Sequence, residues 1–110
     1  MNPLYDITFS KAQLAWREKA HEIAVKYLLP HAAQNDKTSA FNEDAFQAAA
    51  AAGMLGVWIP KQYGGSDDGI MALALMVEEF SKADPAFGVA FAVNALGSLP
   101  IIVGGTHEQK

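Results

Sequence analysis

The sequence predicts an all-α protein: a small up-and-down helical bundle, built as one domain over residues 1–110. Three observations carry that prediction. Four stretches read as helices, the first by apolar residues near the 3.6-residue period and the others by strong helix formers or long apolar runs. Those stretches open on capping residues and close on glycine or proline. No stretch alternates apolar and polar residues with the period of two that a half-buried strand needs, and no internal repeat is visible.

The first helix has a complete start signal. Ser10 can cap, Gln13 can answer it, and Phe9 can staple onto Leu14. Leu14, Ala20, Ile23, Ala24, Tyr27 and Leu28 then recur near helical spacing, with Arg17, Glu18, Lys19 and Glu22 expected on the wet side. Pro30 ends or kinks this helix, since it lacks an N–H and crowds the preceding turn. The segment "QNDKTSA" reads as a polar loop. Asn42 caps a second helix, with Glu43 and Asp44 in the first turn, where the helix dipole favours carboxylates. "AFQAAAAA" is strongly helix-forming, Gly53 is its stop, and the apolar "MLGVWIP" follows.

"PKQYGGSDDG" reads as a sharp turn ending in an N-cap. It has neither phosphate-loop spacing nor the alternating ligands of a calcium loop. The third helix, "GIMALALMVEEFSKA", is apolar nearly all round for two turns, so burial on most sides is expected. Glu78 and Lys82 are spaced for an i,i+4 ion pair at its wetter end. Asp84 then caps a fourth helix that opens on Pro85.

Composition narrows the function. At 110 residues the chain can bury one small core, and a hydrophobic content of 51% argues against disorder. Residues 1–37 carry five basic and four acidic side chains, residues 38–110 three and eight, for a net charge of −4. With no basic stripe, nucleic acid is not an expected partner. The absence of cysteine removes disulfide and thiol chemistry and fits a cytoplasmic address. "MNPLYDITFS" lacks the basic-then-apolar order of a signal peptide. Residues 85–103 are uncharged over about the length of a bilayer span. Gly97 and Pro100 break that run, Asn94 sits within it, and no Lys or Arg flanks it closely, so a buried core helix is expected and no membrane span.

Catalytic chemistry is sparse. His21, His31 and His107 are too dispersed for a local metal motif, and His21 is expected in solvent. No nucleophile elbow is present. Glu78 and Glu79 are adjacent, so on a helix they point about 100° apart and cannot act on one substrate atom. No catalytic and no metal-ligating residue is assigned.

Several segments in register carry a family resemblance. "AAGMLGVWIP", then "YGG", then an apolar helix ending in "VEEFSKADP" closely resemble the N-terminal domain of the acyl-CoA dehydrogenases. "YLLPHAAQND" before them and "NALGSLPIIVGGTHEQK" after them are similar to the family's flanking segments, so the likeness covers nearly the whole chain. Lys61 stands where an acidic residue is common. In that family the segment matching "GTHEQK" begins a further helix, with Thr106 able to cap and Gln109 to answer, and a β-domain and a C-terminal helical bundle follow.

The resemblance therefore implies the N-terminal domain of a larger flavoenzyme, incomplete at its C-terminal end. It implies α,β-dehydrogenation of an acyl-CoA substrate by a complete enzyme that holds FAD mainly through regions absent from this chain. It also implies electron-transfer flavoprotein as a partner and a homo-oligomeric assembly. The family's catalytic glutamate and most of its flavin contacts have no counterpart here. One contribution carries over by position: the helix matching "FGVAFAVNALG" lines the deep end of the family's acyl pocket. That gives Gly88, Ala92 and Leu96, spaced i, i+4, i+8, as substrate-binding candidates on one face. Gly88 and Ala92 fit close helix packing as well. A related acyl-CoA oxidase or flavin monooxygenase shares this domain, and a free-standing helical interaction module is the reading from a different class.

Overall fold

Ser10 opens α1 (Lys11–Ile23) with both bonds of the expected capping box. Gln13 N–H donates to Ser10 Oγ at 3.2 Å, and Ser10 N–H donates to Gln13 Oε1 at 2.9 Å. These features come from a computed structural model that describes residues 9–110. The helix continues into a π-helical turn, Ala24–Leu28, and ends before Pro30, as proline requires. Its buried stripe is Arg17, Ala20, Ala24 and Leu28, a run with helical spacing. Arg17 thus departs from the wet side expected for it and is only 7% exposed. Its place in the stripe decides this, because a long aliphatic stem can cover apolar neighbours. Glu18, Lys19 and Glu22 are exposed as expected.

The segment expected as a polar loop is largely helical: α2 (Ala32–Thr38), closed by Ser39 in the left-handed region at φ 56°. No residue of α2 is buried, so it has no apolar stripe for periodicity to reveal. Asn42 caps α3 (Glu43–Ala51) and does a second task. Its Oδ1 accepts from Ala45 N–H at 3.0 Å, and its Nδ2 donates to the Tyr27 carbonyl at 2.8 Å, tying α3 to the π turn. Gly53 stops α3 at φ 77°, and short 3-10 turns follow at Met54–Gly56 and Lys61–Tyr63.

The remaining helices are α4 (Gly69–Ala83) and α5 (Pro85–Gly104), joined at Asp84. Asp84 Oδ1 accepts from the N–H groups of Ala86 and Phe87, and Pro85 occupies the first helical position, both as expected. α4 packs between α1 and α5. Phe80 is the centre of the core, fully buried and edge-on to Phe87 and Phe91 at centroid distances of 5.1 and 5.0 Å. Trp58 meets Phe91 edge-on, with ring centroids 6.1 Å apart.

Two burial expectations need correction. α4 buries one side, through Ala72, Leu73, Leu75, Met76, Glu79 and Phe80, while Ile70 and Met71 stay open to solvent. α5 continues through Gly97 and Pro100 to Gly104, although those residues were expected to break it. Pro100 forgoes one backbone hydrogen bond in the last turns but holds a helical φ, so the helix survives it. Among the described residues α5 is also the one helix long and apolar enough to cross a membrane by length and composition. It is a core helix on one side only, where Phe87, Gly88, Phe91 and Ala95 are buried. No strand occurs among the described residues, so the all-α class and the small bundle hold.

Candidate functional site

α5 disposes of its own polar groups. Asn94 Nδ2 donates to the carbonyls of Ala90 and Phe91 at 3.2 and 3.1 Å. Ser98 Oγ donates to the Asn94 carbonyl at 2.8 Å and accepts from Trp58 Nε1 at 2.9 Å. No charged residue lies between Pro85 and Thr106. The side of α5 away from the core is therefore apolar and uncharged along its length, presenting Val89, Val93, Leu96 and Val103.

The three candidate residues do not share one environment. Gly88 is buried, and a Cβ built there would collide with Ser81 Oγ of α4 and stand 3.4 Å from Ser81 Cα. Its missing side chain faces the neighbouring helix, so the packing reading accounts for Gly88. Ala92 is half-buried, and Leu96 is 72% exposed. The reason is helical geometry: a step of four residues overshoots a full turn by about 40°, so two steps wind about 80° around the helix. The stripe begins against α4 and ends on the open side.

Around this helix the polar contacts hold elements together. Trp16 Nε1 donates to Asp68 Oδ2 at 2.7 Å, and the Lys19 ammonium lies 4.7 Å from the Trp16 ring centroid. Asp68 occupies the expected N-cap position of α4, but its carboxylate makes no capping bond. It serves α1 instead. The preceding turn needs glycine at Gly64, with φ 93°, and at Gly65, where any Cβ would collide with the Ile59 carbonyl. Further along, Tyr63 Oη lies 3.1 Å from His107 Nδ1. The Thr106 box has formed, with Thr106 N–H donating to Gln109 Oε1 at 2.9 Å and Gln109 N–H to Thr106 Oγ1 at 3.3 Å.

Sequence reasoning missed Glu79. It is buried, with Oε2 3.1 Å from His21 Nδ1 and Oε1 accepting from Lys82 Nζ at 2.7 Å. Lys82 thus pairs at i,i+3 with Glu79, and the expected partner Glu78 is exposed. A buried carboxylate costs several kcal/mol unless it is paired, whereas water already satisfies Glu78. His21 is half in solvent, as expected, but is also engaged. The signal was present: Ala72, Met76 and Glu79 fall on one side of α4 at i, i+4, i+7.

None of this forms a catalytic constellation. Among the described residues no His, Cys, Asp and Glu cluster could hold a metal. No buried side-chain nitrogen or oxygen among them lacks a partner, so none is held in reserve for a ligand. An open cleft of about 250 Å³ lies between His31, Asn35, Phe41, Asn42, Glu43 and Asp44. Its one buried polar side chain, Asn42, is committed to Tyr27 and Ala45.

Comparison with known proteins places this arrangement. The family described as "Acyl-CoA dehydrogenase, N-terminal domain" matches residues 10–110. The chain is 36% identical over 102 residues to the probable acyl-CoA dehydrogenase YngJ of Bacillus subtilis, covering 92% of this chain and 27% of that protein. It is 32% identical over 93 residues to cyclohex-1-ene-1-carbonyl-CoA dehydrogenase of Geobacter metallireducens, covering 84% and 24%. A chain in the solved structure of the electron transferring flavoprotein of Acidaminococcus fermentans superposes with a TM-score of 0.83 at 31% identity, covering 92% and 27%. The chain thus spans about a quarter of the length of the relatives it matches. From the Ser10 box of α1 to the Thr106 box beyond α5, it belongs to the N-terminal domain family of the acyl-CoA dehydrogenases.

Proposed function

We propose that this chain is the N-terminal portion of an FAD-dependent acyl-CoA dehydrogenase, and that α5 lines the end of its acyl-chain pocket. One observation carries the reading: within a domain of this family, the open side of α5 is apolar and free of charge from Pro85 to Thr106. Sites for small ligands are mostly apolar with few polar groups, and an acyl tail asks for no polar group at all. In this reading Ala92 and Leu96 meet the end of the tail, and Gly88 stands behind them where α5 touches α4. The chain's own part is to bind the tail, orient it and exclude water from it.

The described residues do not fit the cofactor on their own. They leave no buried polar group unpaired, and they contain no strand from which a glycine-rich dinucleotide loop could spring. FAD is assigned to the complete enzyme, with acyl-CoA as substrate and, on the family resemblance, a homo-oligomeric assembly; a cytoplasmic location is the sequence reading, with the mitochondrial matrix as its alternative. The kinship with the Acidaminococcus structure supports an electron-transferring flavoprotein as its redox partner.

The test is a chimera in which residues 10–110 replace the matching segment of the Bacillus relative. It is expected to oxidise acyl-CoA thioesters with a chain-length preference different from the parent's. A folded, flavin-loaded chimera whose preference is unchanged would overturn the pocket assignment. The 110-residue chain by itself is expected to be inactive and to leave FAD fluorescence unchanged on titration; saturable micromolar binding would overturn the assignment of FAD to regions outside it.

A further inference from the structure

We draw no further inference here: the strongest candidate, the uncharged apolar side of α5 formed by Val89, Val93, Leu96 and Val103, is the surface already given to the proposed acyl pocket, and nothing in the structure shows what else covers it.

Discussion

The two sides of α4 hold their neighbours by different means. Toward α1 the contact combines small apolar residues with polar ties: Trp16 to Asp68 at one end and His21 to Glu79 at the other, with Lys82 of α4 itself holding the second oxygen of Glu79. Toward α5 there are interlocked rings and a glycine notch, Phe80 against Phe87 and Phe91, and Gly88 against Ser81. Among the described residues no side-chain hydrogen bond or ion pair joins α4 to α5. Apolar burial scales with area and is indifferent to direction, whereas hydrogen bonds fix orientation and return little net energy. The aromatic side should therefore set the stability of the domain, and the polar side the placement of α1 upon it.

Phe80→Ala is the strongest way to break that comparison. Phe80 is fully buried among Phe87 and Phe91, so truncation removes the ring and leaves a cavity. The expected loss is ~3–5 kcal/mol, a large share of the ~5–15 kcal/mol that holds a domain together. In thermal denaturation followed by circular dichroism, the midpoint should fall by on the order of 20 °C. A fall of only a few degrees would show that the ring cluster is not the main support.

Gly88→Leu tests the same interface from the other helix. The new side chain would be driven into Ser81, and overpacking of this kind costs ~1–3 kcal/mol. Combining it with Ser81→Gly should recover part of the loss, because residues in contact couple by ~0.5–3 kcal/mol in a double-mutant cycle. Additive effects would mean that residue 88 does not face Ser81, and would return Gly88 to the pocket side.

Much of this was legible in the sequence, and the misses share a cause. Caps and stops are local, so Ser10, Asn42, Gly53, Asp84 and Pro85 could be read from a few neighbours each. What depended on tertiary direction could not. Composition shows that α4 and α5 are apolar but not which side a neighbour covers, so burial on most sides of α4 and a buried α5 were expected where one-sided burial occurs. The same blindness put Arg17 in water and chose Glu78 over Glu79 for Lys82. α2 escaped because a helix with no buried residue leaves no hydrophobic trace. The family likeness supplied the proposal that α5 lines a pocket, which composition and spacing alone did not.

Trp16→Phe sharpens the polar side. Phenylalanine keeps much of the packing but removes the donor to Asp68, leaving a half-buried carboxylate to turn to water. Hydrogen bonds to charged groups contribute ~1.5–3 kcal/mol, and partial solvent access lowers that here to ~1–2 kcal/mol. The midpoint should drop less than for Phe80→Ala, and a cycle with Asp68→Ala should show that most of the loss is shared between the two residues. A loss as large as that of Phe80→Ala would reverse the ranking of the two sides.

Leu96→Ala should have the smallest effect on stability and the most informative effect on function. Leu96 is 72% exposed, and alanine is at least as good a helix former. Its thermal midpoint should therefore stay within the change that ~0.5 kcal/mol produces, the usual range for surface substitutions. In the chimera the same change removes three carbons from the proposed end of the pocket, so room appears there without repacking the core. One methylene of fit is worth ~1–3 kcal/mol, or roughly 10–200-fold in kcat/KM, so preference should move toward longer acyl chains while short-chain turnover is kept. Gly88→Leu supplies the contrast, since its effect should fall on the melting temperature and on every chain length together. If Leu96→Ala leaves the chain-length profile where it was, the open side of α5 faces something other than the acyl tail. The comparison would then contract to one between two packing surfaces, with no pocket at its edge.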